Sequence, residues 1–298
     1  MTNGMKGNSA CYSHLIKVAK ERTMKIHLIS DIHNEIEVVK TSIPKDTDVV
    51  VLAGDIHSGT AGVEWAQNNF GTDIPIVYIC GNHEFYHHDL SVVEEIAEAA
   101  EGTNVRFLDN SSTVIDGVRF IGSTLWTSFD DWKDQIKINF FHNNMNDYEY
   151  IKALWFFDED EARMAEAQKF DRVLTEDLFA KNHFKLRPVI TYLLHKESMR
   201  FLEKAIEEPF DGKTVVVTHH APSYQSVGYY SKQAYEDAYA SSLEYFICKH
   251  KPSIDVWFHG HLHRPVKYFI DGVPVVSNPR DYPMYGKYGS AHEFLYEL

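Results

Sequence analysis

The chain has 298 residues, 44% hydrophobic and 24% charged, enough to bury a substantial core in one large α/β domain or two small ones. A formal net charge of −14 disfavours bulk polynucleotide binding, which is driven by counterion release when Lys and Arg neutralise phosphates. The three cysteines, Cys11, Cys80 and Cys248, are widely spaced without a CxxC pair, which argues against a disulfide framework and fits a reducing compartment.

No stretch approaches the length of a membrane span, and residues 1–23 lack the continuous apolar core of a signal peptide, so a cytoplasmic location is expected. The first strand begins near Met24, and residues 1–23 read as a poorly ordered extension or a start-site artefact. Ile26 to Ser30, Val49 to Ala53 and Ile76 to Cys80 are short, β-branched, apolar runs. The segments after them, Glu35 to Thr41, Gly62 to Phe70 and Asp89 to Glu101, have helical composition. Strand and helix in alternation predict a parallel sheet with crossover helices, whose ligand site lies at the carboxyl ends of the strands.

A further strand is expected at Val118 to Gly122, followed by an aromatic turn at Leu125-Trp126. Residues 127–188 then become polar and aromatic, with patches of helical periodicity and no strand signal, and read as a helical insertion within a single domain spanning 24–298. It contains a small basic run, Lys181 to Arg187, whose ordinary explanation is a solvated surface. Val189 to Glu207 has the spacing of an amphipathic helix. Thr214 to Thr218 and Ile254 to Phe258 are again strand-like. Val266 to Ile270, a turn at Asp271-Gly272, Val273 to Ser277 and a last run near Glu293 to Leu298 complete an antiparallel end. Two sheets are therefore expected.

Five short motifs stand immediately after strand-like runs: Asp31-Ile32-His33, Gly54-Asp55, Gly81-Asn82-His83-Glu84, His219-His220-Ala221-Pro222 and His259-Gly260-His261-Leu262-His263. Each alone has an ordinary explanation as a turn or a cap. Together they supply two Asp, one Asn and at least four His, which is the nitrogen and oxygen set that two adjacent divalent or trivalent ions need. The pattern points to a two-metal hydrolase.

In that order the motifs resemble those of the calcineurin-like metallophosphoesterases, over roughly residues 24 to 298. The phrases from Thr218 to Ser223 and from Ser277 to Tyr282 are similar to a bacterial branch of the superfamily. The resemblance implies two mixed β-sheets packed face to face and flanked by helices, a four-layer α/β sandwich with the helical insertion added. It also implies two transition metal ions, Mn, Fe or Zn. Asp31, His33 and His263 would hold one, and Asn82, His219 and His261 the other, with Asp55 bridging. A hydroxide between the metals would attack phosphorus, with His83 stabilising or protonating the leaving oxygen. Arg280 and His220 are the candidates for substrate contact or support, and His57, Glu84, Tyr86 and Trp126 for lining the pocket. None of these residues lies in the 127–188 insertion, which is expected to shape the pocket without holding metal.

The departures are also informative. Gly54-Asp55 continues as Ile56-His57-Ser58-Gly59, and Glu84 is followed by Phe85-Tyr86-His87, so the arginines typical of protein serine/threonine phosphatases are missing there. The expected activity is hydrolysis of a small phosphodiester or phosphomonoester. A nuclease of the same superfamily is one alternative, and a non-catalytic scaffold, as in the retromer subunit with this fold, is another.

Overall fold

The computed structural model describes residues 23–154, 161–171, 184–228, 236–280 and 294–298. One sheet contains β1 (Lys25–Ile29), β2 (Val49–Ala53), β3 (Ile76–Ile79), β4 (Val105–Phe107) and β11 (Tyr296–Glu297) in the order β11-β1-β2-β3-β4, parallel except for β11. The second holds β5 (Ser111–Ile115), β6 (Val118–Ser123), β7 (Lys213–Thr218), β8 (Val256–His259), β9 (Val266–Ile270) and β10 (Val273–Ser277), in the order β5-β6-β7-β8-β10-β9. Its centre, β6-β7-β8-β10, is parallel and both edges are antiparallel.

Period-two alternation builds the layers, because successive side chains on a strand face opposite ways. Ile26, Leu28, Val49, Val51, Val77 and Ile79 face Phe120, Val215, Val217, Val256, Phe258 and Val276 of the other sheet in one buried cluster. The alternate residues Val50, Leu52, Ile76 and Tyr78 pack outward with residues of the helices Ala61–Phe70 and Val92–Ala100. On the far side Ile121, Val216, Trp257 and Val275 share a cluster with Leu202, Ala205 and Ile206 of the helix Pro188–Glu207 and Ile247 of Glu244–His250. The central strands β1, β2, β3, β6, β7, β8 and β10 are buried on both faces, which is why these runs are largely apolar.

Several expectations are corrected. The predicted helix from Glu35 to Thr41 is a turn followed by irregular chain. Asn34 Oδ1 accepts from Val39 N, Trp65 Nε1 donates to Val39 O, and Thr41 pairs with Asn69 through backbone and side chain. These tertiary bonds take the backbone groups a helix would use, in a stretch whose Ile36, Val38 and Val39 are poor helix formers. Strands β4 and β5 have no counterpart among the expected elements. One is three residues long, and the other is a polar edge strand whose residues are half-buried or exposed, so neither carries an apolar run.

Between β6 and Pro188 the described residues form the helices Gln135–Asn144, Asp147–Tyr150 and Glu161–Ala167. A turn at Phe129–Trp132 precedes them, with positive φ at each residue. The chain over 150–154 runs beside 87–90: Tyr150 O accepts from His87 N, Lys152 N donates to His88 O, and Leu90 N donates to Lys152 O. Of the basic run, 181–183 lie outside the described residues, while Lys185 pairs with Glu149 at 2.5 Å and Arg187 with Asp171 at 2.6 Å. Those charges are thus engaged within the fold. The expectation for the segment 1–23 falls almost wholly outside the described residues. Among the described residues no helix is long and apolar enough to cross a membrane, and Cys80 is buried.

Candidate metal centre

The motif loops gather because the strands that precede them lie side by side in the centres of the two sheets. After β1 and β2 the ladder continues into the loops: Asp31 N donates to Gly54 O, His33 N to Asp55 O and Asn34 N to Ile56 O, each at 3.0 Å. Asp31, His33, Asp55, His261 and His263 all have positive φ, between 48° and 72°. A left-handed residue is uncommon for a side chain with a Cβ, and tertiary contacts must hold it there. The Asp-x-His pair therefore reaches the rim from a left-handed turn and not from an extended chain. Two glycines permit the crowding. A Cβ at Gly54, whose φ is 86°, would collide with His219 Nδ1, and one at Gly81 would collide with Asp55 Oδ1.

Glu84 ties the loops together from beneath. Its carboxylate is inaccessible and accepts from Gly81 N, Asp55 N, Ile56 N and the Tyr78 hydroxyl, at 2.7 to 3.0 Å. Burial, followed by the neighbouring Asp55 charge, pushes its pKa up to about 6. Glu84 is thus a clamp between the Gly-Asp and Gly-Asn-His-Glu loops rather than part of a pocket wall.

Above this clamp, two sets of side chains converge. One comprises Asp31, His33, Asp55 and His263, and the other Asp55, His219 and His261. In the first, His33 Nε2 and His263 Nε2 are 3.0 Å apart, His263 Nε2 lies 3.4 Å from Asp31 Oδ1, and His33 Nε2 lies 3.9 Å from Asp55 Oδ2. In the second, His219 Nε2 lies 3.3 Å from Asp55 Oδ2, 3.1 Å from Asn82 Oδ1 and 3.2 Å from His261 Nδ1. Asp55 belongs to both because its oxygens face different ways: Oδ1 accepts from His83 N at 2.9 Å, and Oδ2 faces the two imidazoles. Asp31 is held by the His261 amide and by the Ser30 hydroxyl.

The donor chemistry fits cations. His219 Nδ1 donates to Ala53 O at 2.9 Å, so Nε2 either turns a lone pair on the two acceptors Asp55 Oδ2 and Asn82 Oδ1 or carries a second proton. Burial alone lowers the His219 pKa, but the Asp55 carboxylate reverses this and raises it to about 9. A proton thus does there what a metal ion would do with more charge. His261, whose pKa is pushed well below normal by burial and then by His220 and His219, keeps a buried Nε2 with no hydrogen-bond partner among the described residues.

His83 lies at the edge of the first set. Glu35 Oε1 accepts from His83 Nδ1 at 2.8 Å and from His33 Nδ1 at 3.1 Å, and Tyr86 stacks on the His83 ring at 4.1 Å. Burial lowers the His83 pKa, while Asp55 and then Glu35 raise it to about 9. The same contacts hold Glu35 at about 2 against the opposing effect of burial.

Sequence reasoning missed two carboxylates, Glu35 and Asp147. Glu35 falls in the stretch expected to be helical, and the only available signal was its position two residues after His33. Asp147, from the segment after β6, is buried and accepts from Asn82 Nδ2 and from the Tyr86 hydroxyl, each at 2.8 Å. No spacing rule could have paired residues 65 positions apart.

Other candidates lie outside the centre. His220 is 1% exposed, donates from Nδ1 to Thr124 O and packs between His261 and Trp126, so it supports the His261 ring from behind. His259 is buried against Ser226. Arg280 is half-buried, donating from Nη1 to Ile32 O and from its amide to Ser30 O, which places it beside the Asp31-Ile32-His33 loop.

Known proteins resemble the chain in sequence and in fold. The chain is 24% identical over 260 residues to the uncharacterised protein L509 of Acanthamoeba polyphaga mimivirus, covering 80% of each. Its fold is similar to that of the crystal structure of phosphopantetheinyl hydrolase from Mycobacterium tuberculosis, with a TM-score of 0.62 and 15% identity, covering 93% of this chain and 96% of that one. The model of the calcineurin-like phosphoesterase family matches residues 24–265, and the chain belongs to that family.

Proposed function

We propose that the protein hydrolyses a small phosphodiester or phosphomonoester at a dinuclear metal centre. The observation that carries this reading is the pair of ligand sets sharing Asp55, with acceptors converging on His219 Nε2. Asp31, His33, Asp55 and His263 would hold one ion, and Asp55, Asn82, His219 and His261 the other. His, Asp and Asn donors without sulfur suit Mn, Fe or Zn. When bound, two such ions supply a hydroxide nucleophile and neutralise phosphoryl oxygens.

The chain's own residues supply orientation and a proton. Glu35 takes the His83 Nδ1 proton in a hydrogen bond and leaves Nε2 as the ring's reactive atom. The raised pKa keeps His83 protonated at neutral pH, and cations beside Asp55 would bring that value back toward neutrality, where a general acid works best. His83 can then give the Nε2 proton to the leaving oxygen. Arg280, beside the Asp31-Ile32-His33 loop, would contact a phosphate. The segment 127–188 is read as a cap whose shape selects the ester.

The test is hydrolysis of chromogenic phosphodiesters and monoesters by chelated protein before and after Mn(II) is restored. Activity that returns with metal supports the reading. No activity at full metal occupancy would favour a scaffold, and preference for polynucleotides would favour a nuclease, which the net charge of −14 argues against.

A further inference from the structure

We infer that Asp147 is a positioning residue for the second metal ion, through which the segment following β6 holds the centre together. This rests on the dinuclear reading above. Asn82 can offer a metal its Oδ1 only if the amide does not flip, and nothing intrinsic to an amide prevents the flip. Asp147 prevents it. Its carboxylate can only accept, and its Oδ1 lies 2.8 Å from Asn82 Nδ2, so the nitrogen must face Asp147 and the oxygen must face His219, 3.1 Å away. The same Oδ1 accepts from the Tyr86 hydroxyl at 2.8 Å, and Asn82 Nδ2 also lies 3.4 Å from that hydroxyl. One acceptor atom thereby fixes the Asn82 amide and the ring that stacks on His83.

Asp147 is itself held firmly. It opens the helix Asp147–Tyr150, and the residues after that helix are bonded to 87–90, immediately beyond the motif loop. The Tyr148 hydroxyl, one residue on, meets Thr191 Oγ1 of the helix Pro188–Glu207 at 3.3 Å. The expectation that this segment only shapes the pocket is thus extended: none of the proposed ligands lies in it, yet Asp147 sets the orientation of one.

The test is Zn(II) titration of metal-free protein by calorimetry, with the imidazole NMR signals of His219 and His263 reporting the two sites separately. Asp147→Ala should weaken the site reported by His219 by about 10- to 100-fold, the usual cost of losing an outer partner of a ligand, and leave the site at His263 near the parent value. Asp147→Asn, which keeps an acceptor oxygen, should restore most of the loss. Tyr86→Phe should leave both affinities near the parent value, and loss of the second metal there as large as in Asp147→Ala would overturn the inference. A second route does not require the alanine variant to fold. Asn82→Asp sets two carboxylates against each other and should weaken the second site, whereas adding Asp147→Asn reverses donor and acceptor and should recover it. Failure to recover would overturn the inference. Two metals at parent affinity in Asp147→Ala would overturn it alone, whereas a parent protein that binds no second metal would overturn the dinuclear reading as well.

Discussion

Asp55 Oδ2 lies 3.3 Å from His219 Nε2, although His219 already gives its Nδ1 proton to the Ala53 carbonyl. The contact is favourable only with a positive charge between the two groups, and a second proton on His219 supplies it in the metal-free protein. Metal binding must therefore expel that proton. With the His219 pKa near 9, well above the ordinary 6.5, uptake of metal at pH 7.5 should release about one proton from this residue. Calorimetry in buffers of different ionisation enthalpy measures the total release, and the same titration of His83→Ala removes the share that His83 contributes. Affinity should rise with pH until about 9 and then level off; a flat profile between pH 7 and 9 would contradict the assignment.

Asp55 is the residue that the two candidate sets share among the described residues, so on the proposed reading Asp55→Asn should weaken both metals. The loss should exceed the roughly 10- to 100-fold caused by removing an outer partner, because a shared charge is lost. Elemental analysis after gel filtration should give fewer than two metals per chain, and retention of both would remove the bridging role.

His83→Ala, in contrast, should keep both metals. Turnover should fall by about 10²- to 10⁴-fold, the range for a positioned acid or base. The deficit should shrink for esters with good leaving groups, which need little protonation. An equal deficit across leaving groups would mean that His83 stabilises charge or positions the ester.

Glu84 gives a prediction about stability. Replacing its carboxylate by alanine leaves three buried amides and the Tyr78 hydroxyl without their acceptor. At about 1–3 kcal/mol for each unsatisfied group, Glu84→Ala should cost at least about 3 kcal/mol after local relaxation. Denaturant unfolding of the metal-free protein measures this, and a loss below about 1 kcal/mol would show that the clamp is dispensable.

The positions of the strands that precede the motifs, and the motif residues after them, were legible in the sequence for a local reason, whereas β4 and β5 were not. A strand buried on both faces needs a continuous β-branched run, and the candidate ligands follow such runs within five positions. Val49–Ala53 and Val273–Ser277 appear where the composition places them, and the half-exposed edge strand Val266–Ile270 where its alternation does. The stretch from Glu35 to Thr41 was misread because its backbone bonds go to Asn69 and Trp65 and not along the chain. Glu84 shows the same division: its position in the motif is visible in the sequence, but its work as an acceptor for Asp55 and Ile56, 29 and 28 residues away, is not. Likewise, the sequence names Asn82 as a candidate ligand, whereas Asp147, 65 residues later, decides which way its amide faces. Residue type and period are local properties of the chain, but an acceptor's partner is chosen by packing across it, and only the tertiary structure decides that.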